Sequence, residues 1–98
     1  MAKRDLSSDY RLGISRAHTL LIRWEERCRD NWSANLRFPE ELRYELAQTT
    51  GEVRMGMEDC FAACVRAVIE RNLPILKNWK PIEELEEPAE FLYGVGVP

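Results

Sequence analysis

Few side chains in this 98-residue chain could carry chemistry. Thiol and imidazole come from Cys28, Cys60, Cys64 and the lone His18. Cys60 and Cys64 stand four apart, so a helix would set them on one face, where zinc ligands could sit. No Cys-x-x-Cys pair accompanies them, and His18 is the only histidine. Buried apolar cysteines are the reading this set supports, with no metal and no cofactor. His18 has no Ser, Cys or Asp placed in sequence to partner it, so it reads as a surface or capping residue. The paired acids Glu40-Glu41 and Glu83-Glu84 read as helix-start and solvated charges. The remaining candidates are Ser33, Asn35 and Arg37, a hydroxyl, an amide and a guanidinium on alternate positions. These groups can bond the edges of nucleic-acid bases: Arg bidentately to guanine, Asn to adenine, Ser more permissively. No glycine-rich phosphate loop, HExxH helix or nucleophile elbow is present, so an enzyme is not expected.

Composition sets outer bounds. The chain is 45% hydrophobic and 32% charged, which fits an ordinary globular domain. No apolar run approaches the roughly 18 residues of a membrane span. The opening Met1-Ala2-Lys3-Arg4-Asp5 turns polar at once, so a cytoplasmic protein is expected. Three cysteines without framework spacing fit a reducing compartment. Net charge is −3, unevenly spread: residues 80–98 hold one Lys and five Glu, while residues 1–79 hold thirteen basic and twelve acidic groups. The acidity belongs mainly to the C-terminal segment.

The elements that would position the candidates follow from periodicity. Residues 1–15 read as a polar arm, mildly basic through Lys3, Arg4 and Arg11, with Gly13 as a breaker. Residues 16–31 read as an amphipathic helix capped by Ser15, with Leu20, Leu21, Trp24 and Cys28 as its stripe. At 32–38 the period becomes two: Trp32, Ala34, Leu36 and Phe38 alternate with Ser33, Asn35 and Arg37, as in a half-buried strand. Residues 39–51 read as a helix, with Pro39 at its first position, Glu40 and Glu41 in the first turn, Leu42 and Leu46 inward, and Gly51 as C-cap. Residues 52–56 form a connection. Residues 57–73 read as a second helix ended by Pro74.

Two features point to a second copy. A lone strand leaves its backbone groups unpaired on both edges. The helix at 57–73 is apolar almost all round between Cys60 and Ile69, so it must be covered on most faces. A chain this small buries a limited fraction of its surface alone. An intertwined homodimer would answer both.

The order strand, Pro, helix, turn, helix, with Asn35-Leu36-Arg37-Phe38-Pro39-Glu40-Glu41-Leu42, resembles the Arc-type ribbon-helix-helix repressors of phages and plasmids over about residues 32–73. The resemblance implies a mainly α fold with a ribbon-helix-helix core at 32–74. One short strand would pair antiparallel across the dimer. Residues 1–31 would add an arm and helix, and residues 75–98 a C-terminal tail. It implies duplex DNA as partner, with base contacts from Ser33, Asn35 and Arg37 in the major groove. Phosphate contacts would come from Gly56 and Met57 at the start of the second helix. Glu58 and Asp59 depart from that pattern, because carboxylates repel phosphate.

The expected function is then a dimeric transcriptional repressor or autoregulator, with dimers able to pair further. Two alternatives stand beside it. An antitoxin-like protein would hold a partner through residues 81–98, with Leu85, Phe91, Leu92 and Tyr93 as anchors. An interaction or inhibitor module would use the same fold without DNA. For the tail, docking on its own core and binding a partner are both open.

Overall fold

The structure is a computed structural model that describes residues 5–30 and 37–87. Its elements are α1 (Ser8–Asp30), α2 (Phe38–Ala47), α3 (Gly51–Glu70), a single 3-10 turn (Leu76–Asn78) and α4 (Pro81–Leu85). Among the described residues there is no strand. This corrects the expected ribbon-helix-helix core. Most of the expected strand, residues 32–36, lies outside the described residues. Its last two residues do not continue it. Arg37 has helical dihedrals, φ −92° and ψ −9°, and caps α2, while Phe38 opens that helix. The local cause is Pro39, whose fixed φ suits a first helical turn, with Glu40 and Glu41 against the positive end of the helix dipole.

α1 begins eight residues earlier than the apolar stripe at 20–28 suggests. Ser7 is its cap: the Tyr10 N–H donates to Ser7 Oγ at 3.1 Å, the bond an N-cap serine makes to the third residue of a helix. The buried set Leu6, Tyr10, Ile14, Ala17, Leu20 and Trp24 runs with helical spacing straight through the expected polar arm. Gly13 is therefore no breaker but a packing position inside α1.

The 52–56 connection is also helical. α2 ends at Ala47, and Gly51, expected as its C-cap, is the first residue of α3 with φ +60°. α3 ends in a Schellman arrangement. The Asn72 N–H donates to the Ala67 carbonyl and the Arg71 N–H to that of Val68, with Arg71 in the left-handed region at φ 59°.

The core is one cluster shared by α1, α3 and the C-terminal turns. α1 and α3 touch backbone to backbone. A Cβ on Gly13 would lie 1.9 Å from the Val53 carbonyl oxygen, and one on Gly56 would lie 2.1 Å from that of Tyr10. Only glycine permits this approach. Leu76, Trp79, Pro81 and Leu85 are buried against the pair. His18 Nε2–H donates to the Leu76 carbonyl at 2.5 Å, and the His18 ring meets Trp79 edge-on, centroids 5.7 Å apart. The Trp79 indole N–H donates to Glu84 Oε1 at 2.7 Å. For residues 75–87 the tail question thus has an answer, docking on the chain's own core. Residues 88–98, with Phe91, Leu92 and Tyr93, lie outside the described residues.

Candidate functional site: the outer face of α3

Of the expected site residues, Arg37, Gly56 and Met57 lie among the described residues. Ser33 and Asn35 lie outside the described residues. Arg37 is exposed at the start of α2. Gly56 and Met57 are buried in the body of α3 and face α1. They cannot offer free backbone N–H groups, because α3 starts at Gly51 and their amides lie past its first turn. The expectation of a helix start at Met57 is corrected accordingly. The expected connection at 52–56 is part of α3, which runs unbroken through Gly56.

α3 instead presents two faces. At about 100° per residue, the buried set Gly56, Met57, Cys60, Ala63, Cys64 and Ala67 spans one side. Met55, Glu58, Ala62, Val65 and Ile69 fall on the opposite side and are all exposed. Their spacing alternates three and four, the interval of a continuous helical seam. Met55 is 54% exposed, Val65 58% and Ile69 74%, with Val68 at the edge at 56%. Large apolar side chains this open, in one row, are the observation that calls for a partner.

Glu58 stands within the seam, and further charges flank it. Arg54 lies 3.6 Å from Glu58 and Arg66 lies 3.0 Å from Glu70, both i,i+4 pairs. Asp59 and Arg66 share one flank. Asp59 is partly buried and accepts the Tyr10 hydroxyl at 2.5 Å. On the other flank Phe61 turns back to the core. Its ring stacks on Trp24 with centroids 5.9 Å apart, and Trp24 stacks on Phe38 at 4.9 Å.

Behind this face the support is fixed. Trp24 Nε1–H donates to Glu41 Oε2 at 2.5 Å, and the Arg27 guanidinium holds both Glu41 oxygens, one of them at 2.7 Å. The Arg27 hydrogen bond, helped by the Trp24 bond and by nearby positive charge, holds the Glu41 carboxyl down at about 2. The same hydrogen bond raises Arg27. This network ties α2 to α1 across residues 14 to 17 apart in sequence. Nothing in spacing or period announces it, since Glu41 serves equally well as a helix-start charge.

The two core thiols, Cys60 and Cys64, are not reactive groups. Burial pushes Cys60 up to about 12 and raises Cys64 as well, so both stay protonated and inert. Among the described residues no cluster of three or more His, Cys, Asp or Glu could hold a metal ion. Among them, too, no helix is long and apolar enough to cross a membrane. Compared with protein families, curated proteins and solved structures, the chain gives no match.

Proposed function

We propose that this chain is a helical protein-interaction module whose contact surface is the outer face of α3. The observation that carries this reading is the exposed seam of Met55, Ala62, Val65 and Ile69 on the side of α3 away from its core. The seam stands on a rigid support, because α3 is locked to α1 through Gly13 and Gly56. A preorganised surface loses little conformational freedom on binding. Arg37 sits in a helix cap and the described residues contain no ribbon, which does not support base reading by paired strands.

The test is a photo-cross-linking amino acid placed at Val65 in the full chain, expressed in cells. The control places it at Arg43, an exposed position on α2. An adduct of defined mass from position 65 and none from position 43 is expected. Equal yields at both positions, or none at 65, would overturn the reading.

A further inference from the structure

We infer that the occupant of this face is a second copy of the chain, docked antiparallel with the twofold axis beside Ala62. The inference rests on the interaction reading above and adds the partner and its register. A twofold contact must be self-complementary, because each copy offers the same patch. With the axis at Ala62, Met55 of one copy lies level with Ile69 of the other. Ala62 meets Ala62, and the small side chains let the helices approach closely.

The charges choose this arrangement over its rivals. Glu58 and Arg66 stand four residues to either side of Ala62, about 6 Å along the axis at 1.5 Å per residue. Antiparallel docking therefore brings Arg66 of one copy level with Glu58 of the other. It also places that Arg66 beside the second copy's Asp59, on the flank that Asp59 and Arg66 share. Parallel docking would stack Glu58 on Glu58 and Arg66 on Arg66. Moving the axis by one turn to Val65 would bring the two Arg66 side chains together, where like charges repel. The seam from Met55 to Ile69 is about 20 Å long by the same rise. That is a modest patch, so a reversible dimer is expected rather than an obligate one.

The experiment is sedimentation of the full chain from roughly 1 to 500 μM, the range in which a modest interface dissociates. Arg66→Glu and Glu58→Arg are run separately and as an equal mixture. The parent chain should dimerise. Each single reversal creates at least two like-charge contacts per dimer and should raise the dissociation constant at least about tenfold. The mixture should recover much of the parent's association, because the mixed dimer alone restores both contacts between positions 58 and 66. As a check that does not depend on the reversals, Ala62→Cys should form a disulfide dimer under mild oxidation faster than the parent. At the axis its two Cα atoms fall within the roughly 4.4–6.8 Å a disulfide spans. A monomeric parent across the range, or a mixture as weak as its components, would overturn the inference. A monomer whose position-65 probe labels residues 88–98 of its own chain would show an intramolecular occupant. A monomer cross-linked to a different protein would leave the interaction reading standing and remove the second copy.

Discussion

The two faces of α3 are built from similar side chains and meet opposite surroundings. The inner face carries Met57, Cys60, Ala63, Cys64 and Ala67, all buried, the first four in the core shared with α1 and the C-terminal turns. The outer face carries Met55, Ala62, Val65 and Ile69, all exposed. In apolar content they differ mainly by Glu58, which stands in the outer row. The inner face alone has a glycine where the neighbouring backbone arrives, and α1 answers with its own glycine one turn away from Tyr10. Shape complementarity at backbone distance fixes which side becomes core. The outer face keeps its apolar side chains and gains a frame of charges, the composition of a contact made after folding rather than during it.

Four measurements test that contrast, and thiol chemistry gives the largest difference. Cys60 and Cys64 are buried on the inner face and held protonated, while Cys28 is only half-buried. Native-state alkylation followed by mass spectrometry should modify Cys28 at least about a hundredfold faster, since the inner thiols react only on opening. Comparable rates at all three cysteines would mean the inner face is not sealed.

Backbone packing comes next. Gly56→Ala forces a methyl into the Tyr10 carbonyl and should cost about 3 kcal/mol or more by denaturant titration. A loss below about 1 kcal/mol would show that the helices do not cross as tightly as the structure has them.

Glu41→Gln should cost about 1 kcal/mol near pH 7, allowing for the partial exposure of the pair. Its pH dependence carries the sign. Glu41 titrates at about 2 when folded and at about 4.3 when unfolded. Its contribution is therefore full above the unfolded value and fades as pH falls through about 4.3 toward 2. The stability gap between parent and variant should close over that window. A gap that persists at pH 2 would assign the loss to packing instead.

The smallest effect belongs to the outer face. Val65→Ser with Ile69→Ser should change stability by no more than about 0.5 kcal/mol when measured at high dilution. A larger loss there would place these residues in the fold of the single chain. The same double variant at high concentration should lose whatever association the parent shows.

Much of this molecule was legible before its structure. Pro39-Glu40-Glu41 marks a helix start, and α2 opens there. The all-round apolar run from Cys60 to Ile69 marks a helix with two apolar sides, and α3 has them. The alternating run ending at Phe38 misled, because period two across seven residues competes with the helix start at Pro39. At Arg37 and Phe38 the helix prevails. Gly13 misled for another reason. Glycine as breaker and glycine as close-packing residue leave the same letter in a sequence, and only the neighbour's distance tells them apart.

The amino-acid order by itself determined a mainly helical chain, the helix start at Pro39 and an apolar surplus on α3, because local propensity and periodicity act over a few residues. The three-dimensional arrangement decided which side of α3 is core, where α1 begins and how Arg27, Glu41 and Trp24 meet. Those outcomes depend on contacts between residues far apart in the chain, and periodicity holds no information about distance across a fold.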